Sequence, residues 1–211
     1  MRLLAILVAA FAALPAHAAS FSFTGSFNAD DDVQLFSFTL GSSSTVTLTT
    51  LSYAGGLSSA GPLIAPGGFD GILSLFDATG ALLSQNDDTA PPDVGVDPVT
   101  GQSYDAFLQL LLGPGDYTVA LTQFDNFVLA GNLANGFTYT GSPTFTSIFG
   151  CSNGAFCDST VANRTSAWAV DIRQVDQASA ATSAVPEPAS VVLLGIGLVL
   201  AAGGMRKRRA G

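Results

Sequence analysis

Fifteen aspartates and no glutamate lie between Ala19 and Val185, and several fall in runs or beside turn residues: Asp30-Asp31-Asp32, Asp70, Asp87-Asp88 and Asp105. Carboxylates that a fold brings together offer hard oxygen ligands, so Asp30, Asp32, Asp70, Asp87, Asp88 and Asp105 are the candidate Ca²⁺ ligands. No loop has EF-hand spacing, and aspartates also start turns and solvate a surface without lysine. A pair such as Asp87 and Asp105 would suit the acid and nucleophile of a glycosidase only at a defined separation across a cleft. Their clustering in turns favours the plainer role, and the chain is expected not to be an enzyme.

Other chemistry is narrowed by what is missing. The one histidine is His17, inside a segment that reads as removable. Met1-Arg2, the apolar run Leu3 to Leu14 and Ala16-His17-Ala18 form a secretory signal over residues 1–18, with cleavage after Ala18. About a dozen apolar residues are too few to span a hydrocarbon core of roughly 30 Å. Without that histidine, serine triads, papain-like sites and the common zinc sites each lose an essential member. Between Ala19 and Val185 only Arg164 and Arg173 oppose the fifteen aspartates, a formal charge of −13. Phosphate binding needs a basic face, so nucleic acid is excluded as a partner. Cys151 and Cys157 enclose five residues. In an exported chain that pair reads as a disulfide closing a short loop, worth roughly 2 to 2.5 kcal/mol; two thiolates alone would make a poor metal site.

The elements that must position these residues are strands. Period-two alternation with turn residues about every ten positions predicts an all-β fold, a β-sandwich or jelly roll over residues 19–173. Expected strands are Phe21–Phe27, Val33–Leu40, Thr45–Tyr53, Ile72–Phe76, Ala81–Ser84, Tyr104–Leu112, Tyr117–Thr122, Phe137–Thr140, Thr144–Phe149 and Ser166–Ile172. Asp77-Ala78-Thr79-Gly80 is the turn of a hairpin. The stretches from Tyr53 to Phe69 and from Asn86 to Ser103 read as surface loops. Trp168, Val170 and Ile172 share a face expected to be core. Residues 174–184, small and polar, read as a linker.

Residues 185–209 have three parts. Pro186-Glu187-Pro188 forms a rigid, extended grip. The apolar segment Ala189 to Gly204 makes a short membrane helix of about 24 Å. The cluster Arg206-Lys207-Arg208-Arg209 holds its end in the cytoplasm. This order resembles the PEP-CTERM sorting signal of bacteria that make exopolysaccharide. The resemblance implies an exosortase, a membrane protease that removes the tail, as partner, with Pro186, Glu187 and Pro188 as substrate. Transient anchoring in the inner membrane by the C-terminal helix would precede release to the envelope or extracellular matrix.

The β-domain resembles the bacterial pre-peptidase C-terminal domain. The matching residues are Asp32 to Leu40, Phe69 to Asp77 with Gly80, Asn86-Asp87-Asp88, Tyr104 to Phe107 and Leu112 to Tyr117. That likeness implies an accessory sandwich with no catalytic residues, and residues 127–173 extend beyond it. The expected role is therefore a structural or interaction protein of the surface, biofilm or matrix that requires no cofactor. The alternative is a module binding exopolysaccharide, with Ca²⁺ as a candidate cofactor and Tyr53, Tyr104 or Tyr139 stacking on sugar rings.

Overall fold

The computed structural model describes residues 18–181, in which eleven strands form two facing antiparallel sheets and one small hairpin. The first sheet has the order β1 (Ala19–Ser26), β10 (Ala167–Val175), β3 (Ser44–Thr50), β8 (Phe107–Leu112). The second has the order β11 (Gln177–Ala180), β2 (Gln34–Leu40), β9 (Gly115–Gln123), β6 (Gly71–Phe76), β7 (Leu82–Asn86). A separate hairpin pairs β4 (Gly56–Leu57) with β5 (Leu63–Ile64) inside the loop expected after Tyr53. The sandwich read from the alternation is thus present. The signal segment and the sorting tail lie outside the described residues.

Alternation explains the core directly, since successive side chains in a strand point to opposite faces. Val46 and Leu48 of β3 and Trp168, Val170 and Ile172 of β10 turn inward together. They meet Phe36, Phe38, Leu73, Leu75, Val119 and Leu121 of the second sheet in one buried cluster. Phe36 meets Trp168 edge to face at 5.7 Å, and Phe38 stacks on Tyr117 at 5.1 Å. Gly25 lies opposite Trp168 in the register, and a Cβ there would come within 2.4 Å of the indole. Only glycine leaves room for that ring.

Strand β6 is buried at all six positions although it alternates. Its inner residues face the first sheet, while Phe76 on the other face packs with Val33, Ala120 and Phe137 in a second cluster. The cover over this outer face comes from the segment after β9. That corrects two expected strands. Within Phe137–Thr140 only Phe137 makes a bridge, to Val128, and Phe145–Phe149 is a 3₁₀ helix ending at Gly150 in the left-handed region. Phe137 and Phe145 do point inward as the pattern requires. The segment lies over the outer face of the second sheet, where Phe137 packs with Phe76 and Ala120.

The linker reading also needs correction. Gln177–Ala180 pairs antiparallel with β2 and completes an edge of the second sheet. A short, polar strand suits an exposed edge, and Asp176, which accepts the Gly41 N–H at 2.6 Å, anchors the crossing from β10 to β11. Among the described residues no helix is long and apolar enough to cross a membrane.

Candidate functional site

Register places the candidate aspartates. Gly71 pairs with Gln123, Leu73 with Asn86, Thr49 with Phe107, and Gln34 with Leu121. The start of β6, the ends of β7 and β9 and the starts of β2 and β8 therefore share one end of the sandwich. Asp30, Asp32, Asp70, Asp87, Asp88 and Asp105 all belong to that end, but the structure gives them different work.

Three of the six are occupied by the fold itself. Asp105 accepts hydrogen bonds from the Thr50 hydroxyl at 2.7 Å and from the N–H groups of Ser52 at 2.8 Å, Tyr53 at 3.0 Å and Ala54 at 2.8 Å. It thereby moulds the turn after β3, a role for which a buried carboxylate with ample lone pairs is well suited. Asp30 accepts the N–H of Phe156 at 2.8 Å, that of Thr146 at 3.0 Å and the Thr146 hydroxyl. Asp32 accepts from Asn28 and Ala29 N–H and closes its own turn. Carboxylates so committed have little left for a cation.

Beside Asp105 lies a network centred on Arg164, one of the two basic residues between Ala19 and Val185. Arg164, buried, donates from Nη1 to Asp97 at 3.1 Å, from Nε to the Gly68 carbonyl at 2.9 Å and from Nη2 to the Tyr53 carbonyl at 2.7 Å. Its guanidinium stands 3.8 Å from the centre of the Tyr53 ring, the stacked geometry that arginine favours. Burial pushes the Asp97 carboxyl up, but the Thr100 N–H, Arg164 and the Thr100 hydroxyl outweigh it and hold it below its ordinary value. The Tyr53 hydroxyl donates to Asp158, and burial, then Asp158, raises its proton affinity. Tyr53 is wholly buried, so it offers no face to a sugar. Tyr104 leans on it at 5.1 Å, and Tyr139 stacks on Phe145 at 4.1 Å.

The remaining group is different in kind. Asp70, immediately before β6, is 6 % exposed, and its Oδ1 is buried without a hydrogen-bond partner. Burial, then Asp88, Asp158, Asp87 and Asp105, push its proton affinity well above the ordinary carboxylate value. Asp88 is pushed up to about 6 by burial, then Asp87 and Asp158. Asp125, just past β9, is raised by burial and then Asp87. Gln123, opposite Gly71, is also buried, with an Oε1 that has no partner. Gln123, Asp125 and Asp158 were absent from the sequence-level set. Only the pairing of β6 with β9, fifty residues apart, brings Gln123 and Asp125 beside Asp70.

Cys151 and Cys157 form the expected disulfide. The loop that it closes is fastened to Asp30 through Thr146, whose hydroxyl accepts the Cys157 N–H at 3.1 Å.

No curated protein sequence matches the chain. Among solved structures it is similar to the pre-peptidase C-terminal domain of a collagenase from Bacillus anthracis, with 9 % identity, a TM-score of 0.34 and coverage of 76 % of this chain and 90 % of that one. Residues 184–209 match the model of the PEP-CTERM protein-sorting motif, over the Pro-Glu-Pro, apolar and basic stretches read from the sequence. This chain carries the PEP-CTERM sorting motif, the mark of an exported protein handed to an exosortase as it passes through the cell envelope.

Proposed function

We propose that the chain is a structural or interaction protein of the envelope, biofilm or exopolysaccharide matrix, positioned by exosortase processing and acting by adhesion, not catalysis. The observation that carries this reading is the sorting motif at 184–209 following a β-sandwich that ends at Ala180. The motif supplies an address, and the sandwich supplies a stable body whose buried aspartates mostly serve its own turns. Its test is intact mass and cell fractionation of the protein expressed with and without an exosortase. Loss of the residues beyond about Pro188 only when the enzyme is present, with the β-domain recovered in the matrix fraction, is the expected result. An uncleaved chain in both hosts would make it a permanent anchor.

A polysaccharide ligand is the second reading, and one observation favours a place for it. A groove of about 540 Å³ runs beside edge strand β1, lined by Thr24, Ser52, Thr165, Ile64, Pro66 and Trp168. Hydroxyls beside apolar walls suit sugar rings, and the Trp168 Nε1 is a buried donor without a partner. With Tyr53 buried, this groove joins Tyr104 and Tyr139, which are half-buried, as a place for a sugar ring. Retention on exopolysaccharide that is lost in Thr165→Trp, which fills the groove, would support it; retention unchanged by that variant would remove the groove from consideration.

A further inference from the structure

We infer that β8, an open edge of the first sheet, is a self-association surface on which a second copy of this chain adds its own β8, antiparallel about Gln109. The inference goes beyond the sorting function and the adhesive role and depends on neither.

The two sheets of the sandwich end in the edge strands β1, β8, β11 and β7. An unpaired row of N–H and C=O groups on such an edge is a template for another chain. Three of these edges are blunted. Strand β1 shifts register between Ala19 and Ser20, and its exposed residues are Ser20, Thr24, Gly25 and Ser26. Strand β11 is four residues long and polar. Strand β7 is met at its start by the segment after β9, where Ala81 bridges Asn132 and the Leu82 N–H reaches the Gly131 carbonyl. Strand β8 has none of these defences. Its sequence, Phe107-Leu108-Gln109-Leu110-Leu111-Leu112, holds no charge, proline, glycine or bulge, and Leu111 stands 76 % exposed.

The neighbouring strand fixes which backbone groups of β8 are open. The Thr50 N–H donates to the Ala106 carbonyl at 2.9 Å, and antiparallel pairing alternates bonded and non-bonded positions, so Leu108, Leu110 and Leu112 bond to β3. Phe107, Gln109 and Leu111 therefore turn their backbone groups to the open side, where the Asn86 Oδ1 accepts the Phe107 N–H at 3.0 Å. A two-fold axis through Gln109 makes this row its own complement. Gln109 then faces Gln109 of the second copy and exchanges both bonds with it, while each Leu111 N–H reaches the Phe107 carbonyl opposite. The side chains of the same three residues share one face of the sheet. Each exposed Leu111 thus covers a Phe107 of the other copy. That symmetry selects a second copy as the occupant, since a surface that complements itself closes as a two-fold dimer. Strands β8 and β3 carry no charged residue, so the paired strands themselves add no repulsion between two domains of formal charge −13.

The test is analytical ultracentrifugation of the full 211-residue chain in mild detergent across a range of protein concentrations. A reversible dimer with a dissociation constant on the order of 10 to 100 µM is expected, as suits a contact of one strand pair. Gln109→Lys sets two ammonium groups directly opposite each other, and Leu111→Lys removes the apolar cover. Each should weaken the dimer by about tenfold or more, whereas Leu63→Lys, at a position 79 % exposed on the β4–β5 hairpin, should leave it unchanged. The register has its own readout. Bonded antiparallel residues stand about 5.5 Å apart at Cα, within disulfide reach, so Gln109→Cys should cross-link into a covalent dimer under mild oxidation. Leu83→Cys, on edge strand β7, should not. A chain that stays monomeric at every concentration overturns the inference and leaves the edge to a strand of another protein. A dimer that survives both lysine variants, or that Gln109→Cys fails to cross-link, overturns it too, because association would then run through a different surface.

Discussion

Asp105 and Asp70 sit at the same end of the sandwich and are about equally buried, yet one carboxylate receives four donors and the other none. The difference lies in what precedes and follows them. Asp105 faces the open N–H groups of a turn leaving β3, which would otherwise be orphaned inside the protein, so the carboxylate and the turn satisfy each other. Asp70 faces the ends of β7 and β9, where the neighbouring side chains are themselves acceptors. Removing a satisfied aspartate should therefore harm the fold, and neutralising an unsatisfied one should not.

The largest effect should come from breaking the paired side of this comparison. Arg164→Met leaves Asp97 buried without its cation and should cost about 3 to 5 kcal/mol, read from urea midpoints, with much of it regained when Asp97→Asn is added. Asp105→Ala leaves three N–H groups and the Thr50 hydroxyl without an acceptor and should cost about 3 kcal/mol in the same assay. Replacing both cysteines by serine frees the loop beside Asp30 and should cost roughly 2 kcal/mol.

On the unpaired side the sign reverses. Asp70→Asn should leave stability unchanged or raise it by on the order of 1 kcal/mol at neutral pH, because a repelled carboxylate has been neutralised. A loss as large as that of Asp105→Ala would mean that Asp70 has a partner in solution and would erase the contrast.

The smallest effect is a slope against pH. Asp88 has a folded-state value of about 6, above that of the unfolded chain, so the folded protein holds this proton more tightly. Its cost is absent below about pH 4, grows toward pH 6 and is full above it, so stability falls as the pH rises through that window. Asp97, held low, acts oppositely: its contribution is full at neutral pH and is lost as the pH drops below the ordinary carboxylate range. Asp88→Asn should flatten only the first slope.

The alternation of Phe36, Phe38 and Leu40 and of Trp168, Val170 and Ile172 was legible because a strand's inward face repeats every second residue whatever the strand packs against. Phe145–Phe149 was misread for the same reason in reverse. Its alternation shows that alternate side chains are buried, but not whether the backbone pairs with an edge or lies across a face. Local composition likewise made Gln177–Ala180 look like linker, since the open edge of β2 that receives it lies well over a hundred residues away in the chain.

By itself the sequence determined the chain's address and its class. The sorting motif at 184–209 is a contiguous signal, read as an extended peptide with its own flanks, and period-two patterning needs no tertiary contact to be seen. The use of each aspartate was decided only in three dimensions. Whether a carboxylate is satisfied depends on which donors another strand brings to it, and register alone sets Thr50, Ser52 and Ala54 against Asp105 while setting Gln123 and Asp125 beside Asp70.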